Sequence, residues 1–280
     1  MLLACGTSAR ASELRAGGKL LLTDGVASVE GAAGGGLATW AVIAGGETSD
    51  GLGVRVHGTY VSTPDFSLAA GGMSLGLFDH VELSYARQAF DTGAAGAALG
   101  LGRGFTFNQD VVGAKVRVLG DFVYGQDSWL PQVSIGAQYK SNDRPAIVRA
   151  VGARRDEGVD VYVAATKLLL AQSLLLSGTV RGTEANQFGL LGFGGDRGGG
   201  YGAQFEGSAA WFVTKRLVVG AEYRTKPDSL SFARERDAFD VFGAFALNKS
   251  VSLTVAYVDL GPIATFTGQR GAYVSLQAGF

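Results

Sequence analysis

Apolar and polar residues alternate with a period of two through most of the chain, and most clearly at its end. Ala272, Val274, Leu276, Ala278 and Phe280 share one face, with Tyr273, Ser275 and Gln277 on the other, as in a β-strand. Val251, Leu253, Val255 and Tyr257 alternate in the same way with Ser252, Thr254 and Ala256. Over 217–224, Leu217, Val219, Ala221 and Tyr223 oppose Val218, Gly220, Glu222 and Arg224, so one face now carries charge. Further strands are predicted near 18–25, 37–45, 52–62, 66–77, 80–90, 110–119, 131–141, 158–168, 173–183, 201–213 and 238–247. The total is about fourteen, with twelve as the alternative; single-chain bacterial barrels use even strand numbers.

Composition decides which kind of sheet this is. Mean hydropathy is +0.19, yet no run of about 18 apolar residues could form a spanning helix. High hydropathy spread thinly is what a membrane barrel requires, because lipid-facing and lumen-facing residues alternate. The predicted fold is therefore all-β: a transmembrane antiparallel up-and-down β-barrel in the outer membrane of a Gram-negative bacterium. Its rival is a soluble sandwich. The 44 glycines follow no collagen period, and a net charge of -1 from scattered residues leaves no basic block for nucleic acid.

The connections predict an orientation. The links at Asn248-Lys249, Thr214-Lys215, Ala171-Gln172 and Phe78-Asp79 are tight and would be periplasmic turns, while 91–109, 142–157, 184–200 and 227–237 would be extracellular loops. The long link 120–130 and the short turn Ser62-Thr63-Pro64-Asp65 depart from that rule. The stretch from Ala164 to Leu176 could be an apolar helix but is read as two strand ends meeting at a turn. Trp40, Tyr60, Tyr85, Trp129, Tyr139, Trp211, Phe212, Tyr223 and Tyr257 are placed in interfacial girdles.

Residues 1–11 read as the remnant of a secretory signal peptide, with Ala9-Arg10-Ala11 as its cleavage site and a lipoprotein signal around Cys5 as the alternative. Residues 12–280 would then be one barrel lacking any thiol, which excludes disulfides and cysteine chemistry.

Several stretches are distinctive as words: Gly17-Gly18-Lys19-Leu20-Leu21-Leu22-Thr23, Val29-Glu30-Gly31-Ala32-Ala33-Gly34-Gly35-Gly36, Glu82-Leu83-Ser84-Tyr85-Ala86-Arg87-Gln88, Gln126-Asp127-Ser128-Trp129-Leu130-Pro131-Gln132 and 186–196. With them the chain resembles, from about Gly17 to Phe280, an uncharacterised proteobacterial outer-membrane β-barrel family carried as a domain of unknown function. The resemblance implies fold and location, and brings no substrate or mechanism.

If the apolar faces meet lipid, the lumen is lined by Arg55, His57, Glu82, Lys115, Arg117, Gln138, Lys140, Asp160, Arg181, Glu206, Glu222, Arg224 and Asp240. Opposed charges in a narrow pore select permeants; equally, they could be salt bridges that brace the wall. The loop 184–200 is apolar for an exposed segment, and Phe188, Leu190, Leu191 and Phe193 are its candidate plug residues. Tyr273 and Phe280 are the candidate C-terminal assembly signal, read by the barrel-assembly machinery. Gly100-Leu101-Gly102-Arg103-Gly104 and 192–198 lack the lysine and the strand–helix context of a phosphate loop. Asp91-Thr92-Gly93 has no second copy, and so reads as a turn rather than a protease triplet. His57 and His80 lack a G-x-S-x-G partner and metal-ligand spacing. No cofactor, metal or catalytic residue is expected.

The expected function is a channel for small solutes, with outer-membrane lipid as the surroundings. The alternatives are a structural barrel that anchors a periplasmic or surface partner and, third, a lipid-modifying barrel enzyme built around His57.

Overall fold

A computed structural model describes residues 20–280; the signal-like segment 1–11 lies outside the described residues. The first extended pieces, β1 (Val26–Ala27) and β2 (Ala33–Gly34), pair only with each other. The wall follows as β3 (Leu52–Ser62), β4 (Ser67–Leu77), β5 (Val81–Asp91), β6 (Thr106–Leu119), β7 (Gln132–Asn142) and β8 (Glu157–Leu169). It continues as β9 (Leu174–Thr183), β10 (Gly202–Thr214), β11 (Leu217–Arg224), β12 (Ala238–Ala246), β13 (Val251–Asp259) and β14 (Arg270–Gly279). Each strand pairs antiparallel with its sequence neighbours, and β14 closes onto β3 with Ser275 opposite Thr59. Closure leaves no unpaired edge, which a bilayer demands.

The wall has twelve strands rather than the favoured fourteen. The two surplus segments, 18–25 and 37–45, supply no wall strand; their described residues lie at the barrel's end and inside it. A wall strand must show one face to lipid, whereas Leu37 to Ala44 are all buried. Gly31 at φ 90° and Gly36 at φ 134° also turn the chain through conformations that only glycine adopts freely.

Alternation runs through the wall and breaks at the periplasmic ends of β6 and β10, where the register shifts. In β3, Arg55, His57 and Thr59 point inward while Val56 and Tyr60 are exposed. The outer surface carries Val112, Val163, Val180, Val241, Val255 and Leu276, all exposed. So broad an apolar belt around a closed barrel is a lipid-facing surface, and the molecule is an outer-membrane barrel. Among the described residues no helix is long and apolar enough to cross a membrane; α1 (Ala95–Ala98) and α2 (Pro145–Ala150) lie in loops.

The links 78–80, 170–173, 215–216 and 247–250 gather at one end, assigned to the periplasm because short turns belong there; the longer 120–131 shares that end. Residues 164–176 are two strand ends joined by a single turn of 3-10 helix at Leu170–Gln172. Tyr60, Tyr85, Trp129, Tyr139, Trp211, Tyr223 and Tyr257 are exposed, whereas Trp40 lies in the lumen and Phe212 packs partly buried against the same cluster. Trp40 is therefore no girdle residue.

Candidate functional site

The barrel interior is occupied by the chain's own N-terminal segment. Leu20 to Leu22 and Asp24 sit at the periplasmic end, where they line a cavity of about 670 Å³ with Asn248, Lys249 and Phe280. The segment rises to Glu30, turns, and descends through Thr39 and Trp40 to rejoin the wall at β3.

Beyond β1 and β2 this segment makes little regular ladder, so its peptide groups need partners, and the wall side chains supply them. Glu222 Oε2 accepts the N–H groups of Leu37 and Ala38 at 2.8 and 3.3 Å, and Glu206 Oε2 accepts that of Thr39 at 2.7 Å. The Glu82 carboxylate accepts from Ala33 at 3.1 Å and from Ala44 at 2.8 Å, one with each oxygen. Carbonyls are met by donors: Lys115 Nζ reaches Trp40 O at 3.1 Å, Thr179 Oγ1 reaches Thr39 O at 2.6 Å and Gln88 Nε2 reaches Val29 O at 2.8 Å. Small residues permit this approach. A side chain at Gly35 would put its Cβ 2.0 Å from Glu222 Oε1.

Of the charged residues assigned to the lumen, Arg55, His57, Glu82, Lys115, Lys140, Asp160, Arg181, Glu206, Glu222, Arg224 and Asp240 are buried inside the barrel, with Gln138 beside them. Arg117 is partly buried at the periplasmic mouth, 2.8 Å from Asp79 and 3.2 Å from Asp121. Arg55 pairs with Asp24 of the inner segment, and Lys115 with Glu82 at 3.0 Å. Nearer the extracellular side, Glu30 of the inner segment contacts Lys140 at 2.5 Å and Arg224 at 3.0 Å. Charges this deeply buried are tolerable only when paired and hydrogen-bonded.

Toward the periplasm these pairs are joined by an apolar filling. Trp40, Val42 and Ala44 pack with Phe122, Leu168, Leu175, Val218 and Phe242. Phe122 comes from the long link 120–131, which thereby folds partly into the mouth. Trp40 Nε1 finds Ser208 Oγ at 2.8 Å.

At the extracellular mouth, 184–200 folds over the lumen. Leu190, Leu191 and Phe193 are buried and Phe188 is partly so. Lys140 Nζ and Gln109 Nε2 donate to Phe188 O at 3.3 and 3.2 Å, and Asn142 Nδ2 to Leu190 O at 2.9 Å. Asp196 pins the loop to 227–237 by accepting from the Ser231 N–H at 2.8 Å and from its hydroxyl; those bonds lower its pKa. Behind the loop, Lys226 meets Glu235 at 2.9 Å. Burial pushes the lysine down and the glutamate up. Between loop and inner segment remains an apolar cavity of about 50 Å³ lined by Val29, Leu37, Phe188 and Tyr273 among others, too small to pass a solute.

The remaining candidates fall elsewhere. His57 is buried inside the barrel, and its Nε2 has no hydrogen-bond partner among the described residues. His80 lies in a turn with Nδ1 2.8 Å from Phe78 O. Asp91 Oδ1 accepts the Gly93 N–H at 2.7 Å, an Asx turn. Gly100, Gly102 and Gly104 take positive φ in an open loop. Among the described residues no cluster of three or more His, Asp or Glu is placed to hold a metal. Phe280 is exposed at the chain end, while Tyr273 lies in the lumen against Val29, Val61 and Val258.

Sequence reasoning missed Glu30, Trp40 and the inner course of 20–47. The available signal was negative: 31–38 is nearly all Gly and Ala and has no period.

A family model described as "Protein of unknown function (DUF3034)" matches residues 23–277, a span that takes in nearly all of the inner segment. A search of curated protein sequences returns no match. Among solved structures, the chain is similar to "KdgM porin", with 11% identity, 81% of this chain and 99% of that one covered, and a TM-score of 0.54. It is similar to "KdgM porin in complex with disordered oligogalacturonate" at 12% identity, 81% and 99% coverage, and a TM-score of 0.53. For a NanC porin structure the values are 10%, 81%, 98% and 0.49. At these identities the likeness is one of fold.

Proposed function

The chain belongs to the DUF3034 family, and on that premise we propose that it is an outer-membrane channel for small hydrophilic solutes, held shut by its own N-terminal segment. What carries this reading is the bonding of that segment: wall carboxylates, amides, hydroxyls and ammonium groups hold its backbone. The same groups would line a wet pore once it withdrew. A twelve-stranded wall lies between barrels of about eight strands, which side chains fill, and those of sixteen to eighteen, which leave an open channel. The loop 184–200 acts as a second lid on the extracellular side. Phe280 is the exposed aromatic that the barrel-assembly machinery would read.

Liposome swelling with graded sugars tests the proposal. Full-length protein should admit them slowly, a variant lacking 20–47 should admit small sugars quickly with a sharp size limit, and removing 186–196 should raise the full-length rate. A variant lacking 20–47 that inserts as a folded barrel and admits nothing would refute it.

A second reading, a barrel that anchors a periplasmic partner, is favoured by Trp129, 87% exposed on the periplasmic link 120–131. Co-purification of a stoichiometric partner that is lost on Trp129→Ala would select it.

A further inference from the structure

The carboxylate of Glu30 is held as a bound ligand would be. Arg224 grips it with both terminal nitrogens, Nη1 to Oε2 at 3.0 Å and Nη2 to Oε1 at 3.1 Å, the planar fork that suits a carboxylate. Lys140 Nζ adds a contact to Oε1 at 2.5 Å, and Arg181 Nη2 stands 3.9 Å from Oε2. All three cations belong to the barrel wall, on β7, β9 and β11, and Glu30 belongs to the segment inside it.

The ion pairs around the three cations leave room for one more anion. The wall answers its three cations with two carboxylates, Asp160 against Lys140 and Arg181, and Glu206 against Arg181 and Arg224. One positive charge is left over among these directly paired groups, and Glu30 neutralises it; Glu222 and Asp240, also buried inside the barrel, stand in no ion pair with these cations. The cations are also fixed from behind, since the Arg224 guanidinium lies 4.4 Å from the Phe188 ring centre and that of Arg181 4.8 Å from Tyr162. A preformed, desolvated cluster of this kind binds its anion with little reorganisation.

We propose that Lys140, Arg181 and Arg224 form a carboxylate-binding site in the lumen, that Glu30 is its built-in occupant, and that small carboxylates are the solutes the open barrel prefers. The last clause rests on the channel reading; the binding site does not. Withdrawal of the inner segment exchanges one carboxylate for another, so a carboxylate solute would also compete with Glu30 and favour the open lumen.

Two experiments separate these claims. Glu30→Ala removes the same heavy atoms that acetate supplies. In detergent, acetate should therefore raise the variant's thermal midpoint, by about 3 °C at concentrations several times its dissociation constant. Potassium chloride of equal ionic strength should not, and neither should acetate added to the wild type or to Glu30→Ala/Arg224→Ala. Equal responses to acetate and chloride would overturn the site. Because Glu30→Ala could fail to fold, the variant lacking 20–47 gives a second reading: its reversal potential in a potassium acetate gradient should show preference for the anion, reduced in Arg224→Ala. A conducting pore that prefers potassium would overturn the carboxylate assignment and leave the channel standing. A folded pore that never conducts would sink the channel reading, and acetate rescue would then decide the site alone.

Discussion

Trp40 donates its indole N–H to Ser208 at 2.8 Å across 168 residues of sequence, which fixes the inner segment to β10 at the level of the periplasmic apolar cluster. Burying the indole needs this partner, and its ring is the largest apolar group that the segment brings. Trp40→Ala should weaken docking of the segment by about 3–5 kcal/mol, the usual cost of removing a buried aromatic. The barrel's own hydrogen-bond ladder would be untouched. Limited proteolysis should then cut within 20–47 in the variant only, with the heat-modifiable gel shift of the folded barrel unchanged.

Glu222 carries two amides of the segment at once. Replacing it with Ala leaves the N–H groups of Leu37 and Ala38 without their acceptor, at about 1.5–3 kcal/mol for bonds to a charged group. Amide exchange at those two positions should quicken roughly tenfold to hundredfold. Amides of β4 and β13 should keep their protection; a uniform loss would show that the whole barrel had been loosened.

The outer lid should respond to acid. The Asp196 pKa is lowered by the hydrogen bonds from Ser231, so its contribution to loop docking is complete above the unfolded value of about 3.9 and is lost as pH falls through the lower folded value. Spin labels on 184–200 and 227–237 should stay close at neutral pH and separate below about pH 4. Ser231→Ala should be looser at neutral pH and change less on acidification.

Orientation of the wall can be tested at adjacent sites. Val163 is half exposed on the outer face of β8, between inward-facing Tyr162 and Ala164. Val163→Arg should cost about 2–4 kcal/mol in reversible unfolding from vesicles, as charge near mid-bilayer does. The reverse change at an exposed loop residue, Arg103→Val, should have little effect.

The wall was readable because each strand repeats one rule: Val56, Val163 and Leu276 meet lipid while Arg55, Tyr162 and Gln277 meet the interior. The inner segment obeys no local rule. Its partners, Glu82, Thr179, Glu206 and Glu222, lie on separate strands far along the chain, and its Gly and Ala residues were selected for narrowness rather than period. Leu37-Ala38-Thr39-Trp40 therefore imitates a strand. Glu30 could not be assigned a role because its meaning depends on Lys140 and Arg224, more than a hundred residues away. The apolar run from Phe188 to Phe193, by contrast, marks its loop as unusual by composition alone.

Single-channel recording in planar bilayers, comparing the full chain with a variant lacking 20–47, tests the account most directly. The full-length barrel should be quiet with rare openings, and the deletion variant should show a steady, ohmic conductance. A deletion variant that inserts fully folded but stays as silent as the full chain would contradict it.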